Sequence, residues 1–340
     1  MPRGAPEKRT TKDLLRRLSR AGFARDFVRE AVLPDWWDEE CATEPSLLPE
    51  IEIRVARFLD LPLSVVRDPS RKLGPPSYPN ARLRKVSNIQ ADRLGPAIHA
   101  ALRVAAAALR NPRGELAPMN PPPGNPSAWR SLLAKANGTI DLSSVVADLW
   151  KRGIPVIQVK LLPSPRFQGL ASIVDGRPVI LLGHDIDAPG RLLLLATHEA
   201  GHIVHGDCVA GAPIVDEDDE VVEIDEIERA ADRYASMVAL GEAAPMAPKV
   251  EDHKMLATRA AETSRERASD VGALLWSWAI QSRDFARAEM ALRALYKHLG
   301  GRRTLRRLFD QHVDVSAASE TDLELLRCVH GDAERNACPD

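Results

Sequence analysis

The chain has 340 residues, with 46 Lys+Arg against 48 Asp+Glu, 44% hydrophobic and 28% charged residues. That length suggests two domains or three, and the mix excludes disorder as a description of the whole chain. No apolar run approaches the roughly 20 residues of a membrane-spanning helix. The start, Met1 to Arg9, is basic without an apolar stretch, so no secretory signal is expected. Cys41, Cys208, Cys328 and Cys338 are scattered, form no CxxC pair, and read as free thiols of a reducing cytoplasm.

The small net charge of −2 hides an uneven distribution. Residues 1–30 and 71–114 are basic, whereas 31–70 are acidic. Such asymmetry points weakly to a surface that meets something anionic.

In chain order, Leu14, Leu15, Leu18 and Phe23 open a helical run. Ile51, Val55 and Phe58 give helical spacing to the stretch from Leu47 to Leu59. Trp36-Trp37 reads as an aromatic anchor of this region. Pro69 to Pro79 breaks the pattern, and Asn88 to Arg110 is an Ala/Leu-rich helix. Pro118 to Pro126 is a stiff linker by composition. Helices follow at Trp129 to Ala136 and Leu142 to Lys151. The period then changes: Ile154 to Val159, Gly169 to Val174 and Pro178 to Leu182 are strand-like, the last two joined by a turn at Asp175-Gly176-Arg177. From Gly190 onward only helices are expected. Trp276, Trp278, Phe285 and Leu295 suggest a C-terminal packing platform.

The expected fold is α+β and mostly helical, with a small antiparallel sheet packed on the helix of the motif described next. The expected organisation is a helical N-terminal domain at 1–117, a Pro-rich linker at 118–126, a core at 127–245 and a helical region at 246–340.

The segment His198-Glu199-Ala200-Gly201-His202 carries the chemistry. Residues four apart on a helix share a face, so His198 and His202 can ligate one Zn²⁺. Glu199 follows the first ligand, where its carboxylate can take the proton of a water acidified by the metal. This is the logic of HExxH metallopeptidases. Gly201 costs about 1 kcal/mol relative to Ala inside a helix, which suggests a close approach by another element.

A catalytic zinc site has three protein ligands and one open position. Cys208 stands where a third histidine of the metzincin pattern would be. As a thiolate ligand it would close the site. His205, one turn beyond His202, fits a supporting or core role. The remaining choice is a carboxylate from the acid-rich stretch 216–228. Glu228 stands out because Ala231 and Ala235 form a small-residue face that brings its helix near His198 and His202. Asp232 could then accept a ring N–H from a ligating histidine, or pair with Arg229 or Arg233. Glu followed four residues on by Asp, behind HExxH, is a gluzincin-like arrangement.

The segments Trp150 to Val156, Gly169 to Ala171, Arg177 to Leu182, His198 to His202 and Glu228 to Ala235 together resemble the ImmA/IrrE family of bacterial metallopeptidases over roughly residues 140–240. The resemblance implies Zn²⁺, one per chain, held by His198, His202 and Glu228, with Glu199 as general base. The family's usual Asn and Phe are Asp232 and Tyr234 here. Tyr234 would bring a hydroxyl to the site or serve as a core aromatic. The resemblance further implies a cytoplasmic endopeptidase that cleaves a helix-turn-helix repressor or antitoxin. Leu48 to Val66 resembles the closing helices of an XRE-type helix-turn-helix, without a clear recognition helix. DNA binding by the N-terminal region, or a non-catalytic interaction module, are the rival readings. The basic stretches 1–30 and 71–114 are expected to dock the substrate, and strand 169–174 to pair with an extended substrate segment. Cys328 and Cys338 are also conceivable blockers of an open metal position.

Overall fold

A computed structural model describes residues 9–75, 82–83, 88–183, 185–209, 213–216, 226–241, 250, 252–296 and 300–330. Cys338 and most of the acidic stretch 216–228 lie outside the described residues.

The chain begins with α1 (Thr11–Arg20), α2 (Arg25–Ala31), α3 (Leu48–Leu59) and α4 (Leu63–Arg67). Thr10 caps α1 by accepting from the Asp13 amide, and the apolar stripe Leu14/Leu18 is buried. Phe23, Phe27 and Phe58 pack into one aromatic cluster, Phe23 stacked on Phe27 and edge-on to Phe58. Trp37 joins the core, whereas Trp36 is exposed.

Strand β1 (Arg82–Leu83) precedes the long helix α5 (Asn88–Arg110). From Leu94 to Ala108, α5 is buried almost all round, as befits a central helix. Helices α6 (Pro126–Asn137) and α7 (Leu142–Lys151) follow. Asp141 and Ser144 form a reciprocal cap at the start of α7.

The sheet uses β1 with β2 (Val156–Val159), β3 (Gly169–Val174), β4 (Arg177–Gly183) and β5 (Ile214–Asp216), in the order β1-β5-β3-β4-β2. The expected hairpin is present: Val174 pairs with Arg177 across Asp175 and Gly176, both with positive φ. The sheet is mixed rather than antiparallel, because β2 pairs with β4 and β1 with β5 in parallel. A strand also appears where only helices were expected, since three residues are too few to show a period of two. Continuous burial along β2 and β4 means that both faces are covered. Helices α5 and α8 (Pro189–His205) both pack on the sheet.

Helix α9 (Glu226–Leu240) lies along α8, the most extensive helix pairing among the described residues. Helices α10 (His253–Arg267), α11 (Val271–Ser282) and α12 (Phe285–Leu295) surround a small separate core with Trp278 and Leu256. Of the residues expected in this platform, Phe285 and Leu295 are exposed, and Trp276 lies under the Arg191 guanidinium. Helices α13 (Gly301–His312) and α14 (Glu320–His330) return to the main core, where α14 packs on α5. That core is continuous from Leu14 to Cys328.

Residues 118–126 run across this body. The Asn120 amide donates to the Arg152 carbonyl, and the Tyr234 hydroxyl donates to the Pro123 carbonyl.

Candidate metal centre

Helix α8 starts with Pro at its first turn and ends at Gly206 in the left-handed conformation. Between them His198, Glu199 and His202 are all buried. A Cβ added to Gly201 would lie 3.1 Å from Cα of Ala231, so this glycine lets α9 touch α8. The approach sets Glu228 against both histidines. His198 Nε2 lies 3.1 Å from His202 Nε2 and 3.3 Å from Glu228 Oε2; His202 Nε2 lies 3.5 Å from Glu228 Oε1.

The outer ring nitrogens explain the orientation of the rings. His198 Nδ1 is 2.9 Å from Asp232 Oδ1, and His202 Nδ1 is 3.1 Å from Asp207 Oδ2. With Nδ1–H donated to a carboxylate, each imidazole presents the Nε2 lone pair inward. Two lone pairs and a carboxylate then converge on one point, an arrangement that calls for a cation. Donors about 2.0–2.1 Å from a tetrahedral ion are roughly 3.3 Å apart, the scale of the separations found here. The buried triad His198, His202 and Glu228 can therefore hold a metal ion. Burial, then the neighbouring His198, lowers the His202 pKa, which favours the neutral, ligating ring.

Asp207 is the residue that sequence reasoning missed. Gly206 reverses the chain, the Asp207 amide donates to the His202 carbonyl, and the Asp207 side chain reaches the ring of the same residue. The visible signal is His205-Gly206-Asp207, a helix stop followed at once by a carboxylate.

Asp232 takes the histidine, while Arg229 and Arg233 pair with Glu226. Tyr234 is a buried core aromatic stacked near Trp129, and its hydroxyl is engaged by Pro123 rather than by the site. His205 is exposed at the end of α8, edge-on to Tyr234, and supports neither ligand. Cys208 stays outside the triad; burial, followed by the charges of Glu199 and Asp207, pushes its thiol up to about 12. Cys328 is buried within α14, where its carbonyl accepts from the Lys160 and Leu161 amides.

Glu199 lies against the start of β3. A Cβ added to Gly169 would stand 2.2 Å from Glu199 Oε1, so any residue with a side chain would collide with the carboxylate. The expected open edge of this strand is occupied: Gly169, Leu170 and Ala171 pair with Asp216, Val215 and Ile214 of β5.

No family model matches the chain, and no curated protein matches it. No helix among the described residues is long and apolar enough to cross a membrane.

Proposed function

We propose that the chain is a zinc-dependent endopeptidase of the ImmA/IrrE type, cleaving a cytoplasmic partner protein of the helix-turn-helix repressor or antitoxin class. One observation carries the peptidase reading: the inward convergence of His198 Nε2, His202 Nε2 and Glu228, with Glu199 next to a ligand on the same helix and in contact with the sheet. Two neutral nitrogens and one carboxylate match the His₂Glu donor set of catalytic zinc. The substrate class rests on the sequence resemblance.

When bound, Zn²⁺ would supply Lewis acidity toward a water and a peptide carbonyl. His198, His202 and Glu228 hold it, and Asp232 and Asp207 fix the imidazole tautomers. Glu199 accepts the proton of the attacking water and returns it to the leaving amine nitrogen, the two-way role of a general base that becomes a general acid. Its burial excludes competing solvent, which strengthens the hydrogen bond it accepts from that water.

The test is Glu199→Gln in the full chain. The variant is expected to keep its fold and one zinc by elemental analysis while hydrolysis of the partner falls by about 10²–10⁴-fold. Full hydrolysis by this variant would overturn the reading; loss of zinc in His202→Ala checks the ligand set.

A further inference from the structure

The helical N-terminal region holds a pocket that the candidate metal site does not use. It lies between α1, α3 and the turn after α4, and has a volume of about 230 Å³. Asp13, Arg16, Arg17 and Arg20 stand at i, i+3, i+4 and i+7 of α1, so they share the face that forms one wall. Leu14, Leu48 and Val66 give the pocket an apolar base. Two links tie its walls together without filling the space between them. Arg17 donates from Nη1 to the Val66 carbonyl at 2.7 Å, and from Nη2 to the Asp68 and Arg71 carbonyls at 2.7 and 3.0 Å. This fixes the turn after α4 to α1. Glu52 on α3 is buried; it accepts from Arg67 Nε at 2.8 Å and lies 3.2 Å from Arg9 Nη1.

The charges around the pocket do not balance. Its lining carries four arginines against two carboxylates, an excess of two positive charges. Arg9 meets Glu52, and Arg16 meets Asp13 at 3.1 Å. Arg17 spends its terminal nitrogens on neutral carbonyls, and Arg20 makes no ion pair among the described residues. A phosphate monoester carries about −1.5 to −2 charges at pH 7 and three acceptor oxygens, which matches the excess. Arg16 and Arg20 are exposed, one turn apart, and their planar forks suit such oxygens. The apolar base adds a surface that a bare anion would leave unused. The volume is below the roughly 300–1,000 Å³ of sites for drug-sized ligands, so the molecule that fits is compact.

We propose that this pocket binds a compact phosphate monoester with an apolar body, the phosphate held by Arg16 and Arg20 and the body lying on Leu14, Leu48 and Val66. The site shares no residue with His198, His202, Glu228 or Glu199, so it stands whether or not the chain is a peptidase. It gives part of the basic stretch 1–30 a small-molecule ligand.

Phenyl phosphate is the probe, titrated into the full-length chain by isothermal calorimetry beside inorganic phosphate and phenol. The ester is expected to bind about tenfold or more tighter than inorganic phosphate, and tighter still than phenol, because only the ester uses both halves of the pocket. Arg16→Gln with Arg20→Gln should weaken the ester about tenfold or more. Both side chains are exposed, and circular dichroism checks that the fold is kept. Leu48→Trp fills the base and should weaken the ester while leaving inorganic phosphate unchanged. Arg302→Gln with Arg303→Gln removes two exposed arginines from α13 and should change nothing. The proposal is overturned if the ester binds no tighter than inorganic phosphate, or if it binds the Arg16/Arg20 variant as well as the parent. Equal weakening by the α13 pair would also overturn it, since diffuse attraction to a basic surface would then account for the binding.

Discussion

Asp207 Oδ2 stands 3.1 Å from Nδ1 of His202, five residues ahead of it across the turn at Gly206. The pair links the end of a helix to the inward lone pair of a buried ring, so the helix stop is part of the candidate metal site. Asp207→Ala should leave the fold intact and weaken zinc about 10–100-fold, the usual cost of removing such a partner. Competition with a chromogenic chelator measures it. Unchanged affinity would show that Asp232 and packing alone orient the two rings.

The contact between Gly201 and Ala231 predicts a steric effect that reaches the metal. Gly201→Leu must push α9 away, at a cost of about 1–3 kcal/mol for overpacking. Because Glu228 rides on α9, zinc affinity should fall together with the melting temperature. A lower melting temperature with unaltered zinc binding would mean that Glu228 adjusts independently of its helix.

Tyr234→Phe separates a structural hydroxyl from a reacting one. Removing the donor to the Pro123 carbonyl should cost on the order of 1 kcal/mol in denaturant unfolding. Hydrolysis of a partner should be unaffected, since the hydroxyl is turned toward residues 118–126. A large fall in kcat with unchanged stability would place the hydroxyl in the reaction.

A pH effect should arise far from the metal. His99 on α5 is buried, packs edge-on against Phe58, and its pKa is lowered to about 4, chiefly by burial and then by the Arg103 charge. The unfolded chain binds a proton near pH 6.5 and the folded chain only near 4, so stability falls as pH drops through that window. The full loss is of order 3 kcal/mol, at 1.36 kcal/mol per unit. His99→Gln should flatten the difference between unfolding midpoints at pH 7.5 and 4.5. An equal acid sensitivity in this variant would assign the effect to other groups.

The hairpin and the motif helix were legible because each has a strong local cause. Asp175-Gly176 suits a tight turn, and two histidines four apart need a common helix face. Glu228 and Asp232 were legible through the small residues Ala231 and Ala235 beside them. What escaped was set by long-range partners. β5 is stabilised by β3 and β1 rather than by its own three residues, and the parallel β2–β4 pairing is decided by the helices covering the sheet. Asp207 carries no helical periodicity, because it sits past a helix end, where only the turn at Gly206 brings it back to His202. Cys208 has the spacing of a third ligand, but it stands outside the triad that Glu228 completes.

Arg327 reaches back to Asp35, and Arg110 with Asn111 holds Asp322, so contacts between sequence-distant segments close the main core. During synthesis the α5 face that packs on α14 has no partner until residues 320–330 have left the ribosome. Until then its alanine and leucine side chains are available to chaperones and to other nascent chains. A product that stops before residue 320 would carry His198, His202 and Glu228 and still expose that face, marking it for degradation.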